Sequence, residues 1–249
     1  MDALFDQILD VNNNKVRYDK LVEDRKECSE CRKLGLTNAS VIEGGCFDCN
    51  EIGGWSQWHH SLKAKLMVVG QDFTDVEGFR TCEGRPDPTY PTNQFLQCLL
   101  GHAGFNIQNC SVSGNGILFF TNAVLCMKEK EIRGAQAPVN DQCFKNCGRL
   151  FLRPLIEIVQ PEVVVCLGAK AYRGLLTAYN PDYKLKRQKF LTAVEAPEPE
   201  KLPGGLLVFA VYHCGKGSQN RNRSRTQQMK DWKRIGEFCR GRTAAVESS

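Results

Sequence analysis

Four short apolar runs recur along the chain beyond residue 63: AKLMVV at 64–69, GILFFTNAV at 116–124, PEVVVCLG at 161–168 and GLLVFAVYH at 205–213. Each is continuously apolar rather than alternating, as in strands covered on both faces, and each is too short for an independent helix. Between them the apolar spacing is helical, at about 93–102, 141–159, 169–179 and 225–239. This alternation predicts an α/β fold, a three-layer α/β/α arrangement around a central four-stranded parallel sheet with right-handed crossovers. Residues 1–25 read as one or two short amphipathic helices. Residues 26–63, rich in Cys, Gly and Trp, carry little periodicity and need something besides apolar burial to order them. The expected organisation is an N-terminal part (1–63) of helices and a Cys-rich metal-binding segment packed on the core, an α/β domain (64–240) and a disordered tail (241–249).

In open parallel sheets the working residues sit just past the carboxyl ends of the strands. Three of the four runs end in polar residues: Gly70-Gln71-Asp72, then Thr121-Asn122, then His213. Asp75, three residues beyond Asp72, is the rival acid, for which a cap or salt bridge is the expected role. Two Pro-containing loops, 83–93 and 195–205, lie on the surface, and the first carries Tyr90 on the same edge as Asp72.

Composition changes the picture in two places. Thirteen cysteines in a chain whose start lacks the basic, apolar and small-residue order of a secretion signal point to metal ligation in a reducing, cytoplasmic setting rather than to disulfides. The net charge is only +5, yet Lys and Arg concentrate over 216–234, a surface suited to a phosphate backbone. No run of about twenty apolar residues is present, so no membrane span is expected.

Taken together, these elements resemble the uracil-DNA glycosylase superfamily, most closely its iron–sulfur family 4 type. VVGQDFTD (68–75) is similar to the first motif, G-Q-D-P-Y or G-E-A-P-G; FFTNAVLC (119–126) to the strand with the base-reading Asn; residues 147–176 to the helix, strand and helix that follow; and VYHCGKGSQNRNR (211–223) to the last motif, H-P-S. The likeness spans roughly residues 26–240. Phe73 and Cys214 stand where the motifs have Pro.

The resemblance implies a DNA glycosylase that hydrolyses the N-glycosidic bond of uracil or a related pyrimidine, a monomer with DNA as partner. Asp72 would steer water to the sugar and stabilise its cation, and His213 would donate a hydrogen bond to the departing base. Gln71, Phe73, Tyr90 and Asn122 would bind the flipped base. Lys216, Ser218, Arg221 and Arg223 would grip phosphates. Thr74 stands where the uracil-strict family has a tyrosine that blocks a C5 substituent, which opens the alternative of a C5-modified cytosine in phage DNA as substrate. A third reading is a non-catalytic zinc-ribbon nucleic-acid-binding protein.

The cysteines allow two metal assignments. Cys28-x2-Cys31 with Cys46-x2-Cys49 has the spacing of a four-cysteine zinc site, and His59 and His60 follow nearby. The resemblance implies instead a [4Fe-4S] cluster on Cys28, Cys31, Cys126 and Cys147, with Cys143 one helical turn earlier as substitute for the last.

Overall fold

The structure is a computed structural model that describes residues 2–53, 61–85, 87, 89–105, 118–129, 138–183, 187–215 and 223–247. His59, His60, Lys216, Ser218 and Arg221 lie outside the described residues.

The four apolar runs form β2 (Leu66–Gly70), β3 (Leu118–Asn122), β5 (Val163–Leu167) and β7 (Leu207–Val211), all parallel. The sheet has five strands rather than four, in the order β3-β2-β5-β7-β6. The added edge strand, β6 (Glu200–Lys201), runs antiparallel from within the loop expected over 195–205. It was too short and too charged to read as a strand.

Alternate residues of the central strands feed two cores. Met67, Val69, Phe119, Val164, Cys166 and Ala210 face helices α1 (Asp2–Glu27), α4 (Asp141–Cys147), α5 (Arg153–Val159), α6 (Ala169–Tyr179) and α7 (Arg187–Glu195). Leu66, Val68, Phe120, Val165 and Phe209 face α3 (Pro91–His102) and α8 (Arg225–Glu247). Helices on both faces produce the expected three layers.

Three elements differ in detail from the expectation. The N-terminal stretch is a single helix of 26 residues. The helix expected over 141–159 is α4 and α5 joined by a π-helical turn, Gly148–Leu152. The last helix continues to Glu247, past residue 241, where a tail was expected. Among the described residues no helix is long and apolar enough to cross a membrane.

The Cys-rich segment is ordered largely by polar latches. Arg25, 1% exposed, donates to Asp48 Oδ1 and to the Cys49 carbonyl, both at 2.6 Å. Asn38 Nδ2 donates to the carbonyls of Arg25 (2.7 Å) and Cys28 (2.9 Å), and Ser40 Oγ to that of Lys26 (2.6 Å). These bonds satisfy acceptors that the end of α1 would otherwise leave unpaired. Among the described residues of this segment the one strand, β1 (Leu36–Thr37), pairs antiparallel with β4 (Met127–Lys128), which follows β3.

Candidate active site

The rim of the sheet is set by register. Gly70 and Asn122 are direct partners across β2 and β3, and the ladder continues beyond the strands through Ala123 N–H to the Gly70 carbonyl (2.8 Å) and Val124 N–H to the Gln71 carbonyl (3.0 Å). Asn122 lies across Gly70: a Cβ added to that glycine would meet Asn122 Oδ1 at 2.2 Å. Any larger residue here would displace the Asn122 amide from its position. Asn122 is 6% exposed, and its amide makes no hydrogen bond to any described residue.

Asp72 leaves the end of β2 and is held by two donors. Lys128 Nζ donates to Oδ1 at 2.8 Å and Gln71 Nε2 donates to Oδ2. Both ends of the ion pair are dry, the Lys128 side chain 1% and that of Asp72 7% exposed. Sequence reasoning missed Lys128, because a lone lysine two residues after Cys126 carries no motif signal.

His213 follows β7. Its Nδ1 accepts from Gly215 N–H at 3.0 Å, which places the ring proton on Nε2 and makes that nitrogen a donor. Burial lowers its pKa below the ordinary histidine value; Asp72 opposes the shift and Lys128 adds to it, so the ring is neutral at pH 7. Gly168, at φ +91°, turns the chain tightly behind it: a Cβ there would lie 3.3 Å from His213 Cβ. A Cβ at Gly215 would meet Thr92 Oγ1 at 3.7 Å, so the start of α3 borders this loop. Tyr90, the residue before α3, is 57% exposed at that border.

Other expected site residues are engaged elsewhere. Phe73, partly buried, packs edge-on against Phe79, ring centres 6.3 Å apart, beside a small cluster with Ile42, Val76 and Met127. Thr74 faces Gly78, where an added Cβ would meet its Oγ1 at 2.5 Å. Asp75 caps α2 (Val76–Thr81) by accepting from Gly78 N–H at 2.7 Å. Arg223 is not a free phosphate ligand: it makes a two-pronged ion pair with Asp231, at 3.0 and 2.7 Å.

Around Cys31 the structure gathers five thiols, with Cys28, Cys126, Cys143 and Cys147. Hydrogen bonding to Cys147, with further bonds to Cys143 and Asn146, brings the Cys31 thiol down to about 6 against the opposing effect of burial. Burial, reinforced by Cys31, Cys28 and Cys143, pushes Cys126 up to about 12. Asn146 Nδ2 lies 3.7 Å from Cys31 Sγ. Cys49 instead neighbours Arg25, Asp48 and Glu51, donating to the Glu51 carbonyl at 3.6 Å, and Cys46 is exposed. Among the described residues no three His, Cys, Asp or Glu side chains close onto the position of a single ion. The π-helical turn adds a residue to the helix directly after Cys147, and such turns are frequent at functional sites.

Comparison with known proteins converges on the same region. The profile of the uracil DNA glycosylase superfamily matches residues 58–235. A type-5 uracil-DNA glycosylase of Pyrobaculum aerophilum is 27% identical over 208 residues, covering 79% of this chain and 81% of that one. The matched span contains β2, β3, β5 and β7 and every rim residue described above, and the chain belongs to the uracil DNA glycosylase superfamily.

Proposed function

We propose that the protein is a monofunctional DNA glycosylase that hydrolyses the N-glycosidic bond of uracil or a related pyrimidine, acting as a monomer on a nucleotide flipped out of DNA. The observation that carries this reading is the Asn122 amide, without a hydrogen bond to any described residue, on the same rim as Asp72 and His213. One amide has the donor and acceptor needed to pair with the edge of a pyrimidine. Bond cleavage develops positive charge on the sugar and negative charge on the base. Asp72 is the group suited to the first, orienting water and facing the sugar cation. The Nε2–H of neutral His213 is suited to the second, donating to the base oxygen. Tyr90, exposed at the start of α3, is available to the DNA or the base.

The assay measures abasic-site formation in single- and double-stranded oligonucleotides containing uracil. The wild type opens sites, while Asp72→Asn and His213→Ala do so far more slowly. DNA binding without base release in any substrate supports the non-catalytic alternative instead.

A second reading concerns the base. Thr74, smaller than the C5-blocking tyrosine the resemblance places at that position, lies beside Gly78, and Phe73 packs against Phe79. On this reading C5-substituted pyrimidines, including a modified cytosine, are substrates; release of uracil but of no C5-substituted base overturns it.

The thiol group fits a [4Fe-4S] cluster better than zinc on the N-terminal pairs, because Cys28, Cys31, Cys126, Cys143 and Cys147 interact with one another while Cys49 has other neighbours. Cys28, Cys31, Cys126 and Cys147, with Cys143 as substitute, would hold it. The group would supply cross-linking between the end of α1, β4 and α4, and no chemistry at the base. Protein prepared without oxygen then contains iron and acid-labile sulfide in equal amounts, and Cys126→Ser loses both.

A further inference from the structure

Lys128 has no assigned role, yet its placement is costly. Removing an ammonium from water is unfavourable unless its partner geometry is good, and an apolar residue would fill a strand position flanked by Met127 and the Phe79 cluster more simply. The backbone of Lys128 is pinned from both sides: it pairs antiparallel with Leu36 of β1 and forms a parallel bridge with Asp75. The side chain then runs to Asp72 Oδ1 while Gln71 occupies Oδ2. One donor on each oxygen leaves a second lone pair on each for water or sugar, since a carboxylate offers about four acceptor sites.

We propose that Lys128 is a positioning residue of the excision site, the fixed cation that holds the Asp72 carboxylate in the orientation from which it acts on the sugar. This rests on the glycosylase reading above. Lys128 also opposes protonation of His213. The two-residue ladder of β1 and β4 thereby gives the Cys-rich segment a place in the site: it fixes the strand from which Lys128 reaches Asp72.

The test compares kcat and KM for uracil release by wild type, Lys128→Met, Asp72→Asn and the double variant. Lys128→Met is expected to lower kcat about 100-fold, the scale of a small misplacement, with KM nearly unchanged. Added to Asp72→Asn, the same change is expected to lower kcat no further, because a positioning residue acts only through the group it positions. Wild-type kcat in Lys128→Met, or an equal loss in both backgrounds, overturns the proposal. If Lys128→Met does not fold, the double variant, whose pair is uncharged, is compared with Asp72→Asn: equal rates support the proposal and a slower double variant overturns it. A wild type that releases no base overturns the glycosylase reading and this inference with it, whereas an active wild type with an equally active Lys128→Met overturns the inference alone.

Discussion

The sheet rim and the Cys-rich segment beside it are built in opposite ways. At the rim, parallel backbone ladders place Gly70, Asn122, Gly168 and His213, and the side chains of Asn122 and His213 remain free to meet a ligand. In residues 28–53 the ladder is two residues long, and order comes from side chains: the Arg25–Asp48 pair, the Asn38 and Ser40 caps, and the thiols. Asn122 and His213 are therefore needed for chemistry more than for folding, while the Asp72–Lys128 pair, as dry as Arg25–Asp48, serves both.

That contrast can be broken first at Arg25. Its side chain is 2% exposed and that of Asp48 4%, and breaking such a buried pair costs about 3–5 kcal/mol. Arg25→Met should lower stability in urea denaturation by this amount while leaving kcat per folded molecule unchanged; an unchanged midpoint would remove the distinction. His213→Ala should do the converse, lowering kcat about 10²–10³-fold, the scale of losing one transition-state donor, at an unaltered urea midpoint. Asn38→Ala sharpens the comparison at smaller scale. It removes one donor each from the carbonyls of Arg25 and Cys28, an expected loss of about 1 kcal/mol, read by the same denaturation and without effect on kcat.

The smallest effect is pH-dependent. The folded pKa of His213 is lowered, so the unfolded chain binds more protons below the ordinary value. The stability His213 contributes is present above about 6.5 and is lost as pH falls from there through the depressed folded value. His213→Asn should flatten this acid limb in a melting-temperature series; an unchanged limb assigns it to other groups.

Much of the rim was legible because its signals are local. A continuous apolar run ending in Gly70-Gln71-Asp72 marks both a buried strand and the residues past its end, and the same holds for Asn122 and His213. The helix over residues 169–179 followed likewise from its spacing. What stayed hidden depends on contacts between distant residues. Lys128 becomes notable only when β4 brings it to Asp72, 56 residues away. Arg223 reads as a phosphate ligand until Asp231 is placed beside it, and Arg25 carries no signal until Asp48 is placed beside it. Phe73 follows Asp72 directly, and adjacency in sequence suggested a base platform; the cap formed by Asp75 turns the loop so that the ring packs against Phe79.

Convergence of Asp72, Asn122 and His213 on one nucleobase is most directly tested by a crystal structure of the protein with an oligonucleotide carrying a non-hydrolysable deoxyuridine analogue. The predicted result is a pyrimidine turned out of the stack, its edge on the Asn122 amide, its O2 facing His213 Nε2 and its sugar against Asp72. A base still stacked in the DNA, or one bound away from these three side chains, would contradict the account.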